Sequence, residues 1–167
     1  MKDDLELGVV YGLRRDHDMR PVIVINIRRM LDTNISVDRL IDLSNFLFEY
    51  TIENAMIPGK IENWDVILDL KDVGFSEIPR DRIQPLVTTM STNFRGRLYR
   101  LYATDVSFIL RSLWNLVRAF VDEFTNNKLS VHGSIYDDEI CNLIAEDNLE
   151  TKYGGKLANM ESDFFPP

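Results

Sequence analysis

The chain has 167 residues, 45% of them hydrophobic and 28% charged, which is the profile of one folded domain and excludes disorder, collagen and coiled coil. Nineteen Lys and Arg stand against 27 Asp and Glu, a net charge of −8, which argues against nucleic acid as a partner and against standing adhesion to anionic membrane. The lone cysteine, Cys141, excludes an internal disulfide and a multi-cysteine zinc site and points to a reducing compartment, the cytosol.

The opening MKDDLE has neither the basic flank nor the apolar run of a signal peptide. Residues 7–13 (LGVVYGL) and 21–27 (PVIVINI) are rich in β-branched side chains and read as an antiparallel pair joined by a polar connector over 14–20. Because the chain starts almost inside the first strand, it is expected to be a piece of a longer protein. Ser36 is placed as an N-cap for a helix carrying Val37, Leu40, Ile41, Leu47, Tyr50 and Ile52, which ends near Ile57-Pro58-Gly59. WDVILDL (64–70) reads as a strand, and Pro79 opens a helix to about Asn93. RLYRLYAT (97–104) is the next strand, followed by a long helix over 107–124 and a short strand over 129–132. Two helical pieces, 137–144 and 145–152, close at Gly154-Gly155. From Trp64 onward strands alternate with helices, the order of a parallel sheet with right-handed crossovers, so the architecture is α/β with an antiparallel edge.

Enzymatic signatures are absent: the sequence holds no G-x-S-x-G, P-loop, G-x-G-x-x-G or H-E-x-x-H. His17 falls in a polar turn and His132 ends a strand, where a solvated and a structural histidine are expected. Cys141 lies on an apolar helical face beside Ile140 and Ile144, the setting of an inert thiol. Asp65 and Asp69 share one strand face, but four residues of strand separate them by about 13 Å, too far for paired acid–base work. Helix caps or salt bridges near the strand ends are expected of them.

In the helix over 107–124, Leu116, Ile109, Phe120, Leu113, Phe124, Val117, Leu110, Val121 and Trp114 fill a continuous apolar arc of roughly 160°. Such a helix either sinks into a large core or covers a sheet while lining an apolar cavity or meeting a membrane. Arg111, Asn115, Arg118, Asp122 and Glu123 interrupt it, which excludes a bilayer span. Residues 93–128 carry six Lys and Arg against three Asp and Glu. This local positive charge suits transient contact with anionic lipid as well as it suits a solvated basic face.

Four segments in chain order resemble the CRAL-TRIO lipid-binding domains of the Sec-fourteen-like phosphatidylinositol transfer proteins. DHDMRPV (16–22) is similar to the family's D-x-x-G-R-P-V turn with Met19 for glycine, and VILDLK (66–71) to its central strand. FRGRLYRLYATDVSFILRSLWNLVRAFVDEFTNNKL (94–129) follows the family's Y-P-E-R strand, gate helix and T-x-x-K-I exit, and NLETKYGG (148–155) its N-L-P-x-x-[YF]-G-G ending. The resemblance covers most of residues 1–167, with the family's N-terminal helical bundle absent. It implies a mixed, mostly parallel α/β sheet with one face covered by a gate helix over an apolar cavity for one lipid. The resemblance makes Trp64, Val66, Leu68, Phe108, Leu113, Val117, Phe120 and Val121 the candidate residues of that cavity and gate.

Carried over by position, Thr125 and Lys128 match T-x-x-K, where the hydroxyl and ammonium contact the phosphoinositol headgroup. The family's glutamate in Y-P-E-R falls on Gly96, and the proline before it on Arg95. The serine and threonine that contact phosphocholine fall on Trp64 and Val66, which supply no hydroxyl and favour a bulkier hydrophobic ligand. Arg97, with Arg95 and Arg100 beside it, offers charge-assisted hydrogen bonds to a phosphate. The expectation is non-enzymatic binding and transfer of one phospholipid, with phosphatidylinositol considered first, or of another hydrophobic ligand. No cofactor is expected beyond the bound lipid, and the setting is the cytoplasm with transient peripheral membrane contact. The alternative is a protein-interaction module on the same fold with little lipid binding.

Overall fold

One five-stranded sheet forms in the order β1 (Val10–Arg15), β2 (Pro21–Asn26), β3 (Trp64–Asp69), β4 (Leu98–Thr104) and β5 (Leu129–Val131), with two β-branched runs, β2 and β3, at its centre. The computed structural model describes residues 2–77, 80–106, 118, 123–131 and 138–166. β1 and β2 are antiparallel, and the three later pairings are parallel, as the order of elements predicts. Parallel strands need crossovers, and helices α3 (Val37–Asn54) and α4 (Arg80–Asn93) supply two of them. Ser36 caps α3 as expected, its Oγ accepting from the Arg39 N–H.

The sheet is covered on both faces. On one, Leu40, Leu43, Leu47 and Phe48 of α3 pack on Ile23, Trp64 and Val66, with Leu86 and Met90 of α4 alongside. On the other, Tyr11, Val22, Val24, Ile67 and Tyr102 meet Ile140, Ile144, Leu149, Tyr153 and Phe164 from the C-terminal segment. Each such side chain contributes about 1.5–3 kcal/mol when fully buried. The two clusters hold the sheet between them and fix which strand residues face which side.

Four local expectations are corrected. β1 begins at Val10 instead of residue 7, because residues 2–5 form a helical turn, α1 (Lys2–Leu5), and Gly8 reverses the chain at φ +64. A Cβ on Gly8 would lie 2.5 Å from the Phe164 ring, so that position takes only glycine. β2 stops at Asn26, whose side chain accepts the Arg29 N–H at 2.9 Å and starts α2 (Ile27–Asp32). α3 ends at Asn54, ahead of the Ile57-Pro58-Gly59 stop. The helix expected over 145–152 is two 3₁₀ turns, Glu146–Asn148 and Thr151–Tyr153. Glu150 between them is extended because its buried carboxylate accepts the Tyr11 hydroxyl at 2.8 Å and the Met160 N–H at 2.6 Å. The Gly154 stop is left-handed, as placed. The helix over 107–124 lies outside the described residues, apart from Arg118 and the start of the helical turn Glu123–Asn126.

Candidate functional site

Register alone aligns apolar side chains into rows across the α3/α4 face of the sheet. Ile23, Val66, Leu101 and Leu129 are successive partners from β2 to β5, and Ile25, Leu68, Ala103 and Val131 form the next row. Side chains at matched positions of parallel strands point to the same side. The rows therefore make an apolar floor, continued past the strand ends by Leu70, Val73 and Val106. Val66 is buried and Leu68 half-buried in this floor.

At the end of the floor where β3 and β4 begin stands an aromatic wedge. Trp64, 2% exposed, lies 4.9 Å from Phe48 and 5.8 Å from Phe94 between ring centroids, and the two phenylalanines meet edge to face at 5.0 Å. Aromatic pairs in such tilted geometries add about 0.5–1.5 kcal/mol beyond their burial. Trp64 pairs in register with Leu98, so the wedge adjoins the first residue of β4.

The cationic candidates gather around that same residue. Lys128 sends its ammonium to the Leu98 carbonyl and over the Phe124 ring, 4.2 Å from the centroid. Thr125 lies half-buried one turn earlier, its carbonyl accepting the Lys128 N–H at 3.0 Å. Arg97 precedes Leu98, and its guanidinium donates to the Glu62 carbonyl at 2.9 Å and reaches the Met56 sulfur at 3.8 Å. Arg97 thus braces the loop that leads into β3, whose first N–H donates to the Arg97 carbonyl at 2.8 Å. Arg100 faces Glu139 at 3.0 Å on the opposite side of the sheet, and Arg95 is exposed. The fold brings Thr125, Lys128 and Arg97 to one corner of the floor and keeps Arg100 away from it.

Phe108, Leu113, Val117, Phe120 and Val121 lie outside the described residues. Phe124, placed at the end of their apolar arc, is 67% exposed. His17 is exposed in its turn, Cys141 is half-buried against the Tyr11–Phe164 cluster, and His132 lies outside the described residues. The expectation of caps or salt bridges for the two strand aspartates is corrected. Asp69 is a buried acceptor for the Tyr153 hydroxyl at 2.8 Å, the Asn26 amide at 3.1 Å and the Lys71 N–H at 3.0 Å. Among the described residues Asp65 is neither a cap nor an ion-pair member. Two features escaped the sequence reading: Phe48 and Phe94 as the wedge around Trp64, and the approach of Asp65 to Asp16. The first had a signal, since Phe48 follows the apolar Leu47 within α3.

Among the described residues no cluster could hold a metal ion, and no helix is long and apolar enough to cross a membrane. The chain is 28% identical over 154 residues to a phosphatidylinositol/phosphatidylcholine transfer protein, SFH12, of Arabidopsis thaliana, covering 84% of this chain and 28% of that protein. It is 27% identical over 159 residues to the Sec14 cytosolic factor of Schizosaccharomyces pombe, covering 85% and 54%. The chain thus spans about half or less of the length of these relatives. The structure is similar to the crystal structure of Sfh5, with a TM-score of 0.74 at 16% identity over 89% of this chain and 54% of the other. The CRAL/TRIO domain model matches residues 5–155, nearly the whole chain, and the chain belongs to the CRAL/TRIO domain family.

Proposed function

We propose that this chain binds one lipid over the apolar floor and transfers it between membranes without catalysis. The observation that carries the reading is the floor itself: two cross-strand rows of aliphatic side chains that end at a corner holding Thr125, Lys128 and Arg97. The acyl chains lie along the half-buried members of the rows, Leu68, Leu101, Leu129 and Val131, each buried CH₂ contributing about 0.8 kcal/mol, so the ligand stays until a membrane offers a comparable environment. Lys128 and Thr125 take the phosphate end, and phosphatidylinositol is the first phospholipid to test. The apolar arc over 107–124 serves as the gate, and exchange occurs by transient contact of a cytoplasmic protein with membranes. The transfer activity named for the Arabidopsis relative supports the same class of ligand.

The test is native mass spectrometry of the purified domain, followed by organic extraction of whatever is released. One bound species of lipid mass supports the proposal and names the chemical class, and phosphatidylinositol in particular shows that Thr125 and Lys128 suffice with Gly96 in the glutamate position. A clean apo mass that incubation with mixed liposomes leaves unchanged overturns it. That outcome favours the second reading, a protein-interaction module, for which the wedge that fills one end of the floor and the engagement of Arg97 with a backbone carbonyl are the supporting observations.

A further inference from the structure

On the sheet face opposite the floor, two aspartates meet. Asp16 closes the β1–β2 turn, and its wholly buried carboxylate accepts the Arg20 N–H at 2.6 Å and the Arg20 guanidinium at 2.9 Å. Asp65 stands in β3 between Val22 of β2 and Arg100 of β4. It is 0% exposed, and neither carboxyl oxygen takes a hydrogen bond from an N–H or O–H of the described residues. Asp16 is brought toward it by Arg20, which joins the Asp16 carboxylate at 2.9 Å to Asn63, two residues before Asp65, at 3.1 Å, and which lies two residues from Val22, the register partner of Asp65. An ionised Asp65 would be an acceptor facing an acceptor, and a buried charge facing a like charge. A protonated Asp65 is a donor, and Asp16 offers it the lone pairs that Arg20 leaves free.

We propose that a proton held on buried Asp65, donated to the Asp16 carboxylate, forms a latch between the β1–β2 turn and the central strand, which loosens as the solution turns alkaline.

The surrounding charges do not replace the proton. From the turn, Arg20 is already committed to Asp16, to Asp18 at 2.7 Å and to Asn63 at 3.1 Å, and its guanidinium stacks on Tyr99 of β4. From β4, Arg100 is turned toward Glu139 of the helix Asp138–Leu143, and Tyr102 is a buried phenol whose own ionisation burial and Asp65 both oppose. Burial first, and Asp16 second, push the Asp65 carboxyl up to about 8, while Arg20 and Arg100 pull weakly the other way. In the unfolded chain the same group titrates near about 4. Between those values the folded protein holds a proton that the unfolded chain has released. The stabilisation is therefore complete below a pH of about 4 and is lost as the pH climbs toward about 8. The latch uses no residue of the floor and stands apart from the lipid reading.

The experiment is a carboxyl-carbon NMR titration of the wild-type protein, with urea unfolding of wild type and Asp65→Asn at pH of about 6 and about 9. The latch predicts one aspartate carboxyl titrating between about 7 and 9 and a wild-type midpoint that falls on going alkaline. The side-chain amide of the Asp65→Asn variant donates the same hydrogen bond without ionising, so the fall shrinks and the variant exceeds wild type at the higher pH. Aspartate carboxyls that all titrate below about 5, or parallel falls in the two proteins, overturn it. If Asp65→Asn does not fold, the wild-type titration decides alone.

Discussion

Lys128 is positioned at the corner of the floor by the Leu98 carbonyl and the face of Phe124. Charge-assisted bonds to phosphate are roughly twice as strong as neutral ones. Lys128→Ala is expected to weaken binding of anionic phospholipid about tenfold, the loss of one such bond, about 1.5 kcal/mol, and to leave neutral lipid unchanged, as read by vesicle competition against the two classes. Equal losses for both would remove Lys128 from the headgroup. Met19 shows a different kind of signal. It has φ +69 in the β1–β2 turn, a left-handed conformation that a residue with a Cβ adopts at about 1–2 kcal/mol. Met19→Gly is therefore expected to raise stability by up to about 1 kcal/mol in urea unfolding. The turn was legible in DHDMRPV because its chemistry is local: Asp16 and Arg20 exchange two backbone-anchored hydrogen bonds across four residues.

At the scale of elements, α3, β2 and β3 were readable because a cap or a β-branched run acts within a few residues. α2 was not, since Ile27 prolongs a β-branched run and only Asn26, acting as a cap, ends the strand. The last helical piece failed for a long-range reason: Glu150 is extended so that it can reach Tyr11, 139 residues earlier. The wedge between α3, β3 and the segment before β4 carries its own prediction. Trp64→Ala removes the largest side chain at that end of the floor, and is expected to destabilise the domain by about 3–5 kcal/mol. The same change lengthens the floor, so native mass spectrometry of any folded fraction should show heavier bound lipid than wild type. Unchanged ligand mass would mean that the wedge does not bound the ligand space.

For the molecule as a whole, the proposed transfer cycle joins the floor to the apolar arc over 107–124. A charge placed in that arc, Leu113→Asp or Val117→Asp, is expected to abolish ligand retention while circular dichroism still shows the folded α/β domain. Retention at the wild-type level would dissociate the arc from the ligand. The local net charge of the 93–128 segment is positive in a chain of net −8, so membrane contact through this region should weaken with salt.

By itself the sequence determined the five strands, helices α3 and α4 between them, the mixed sheet with its antiparallel edge and the family, because periodicity, capping and motif spacing are local and follow the chain. It also named Thr125, Lys128 and Arg97. Only the tertiary structure decided that these three share a corner with Trp64, that Arg97 spends its guanidinium on the loop before β3, and that Asp16 meets Asp65. Those outcomes depend on strand register and on the packing of residues tens of positions apart, where a shift of one residue would turn every side chain to the other face of the sheet.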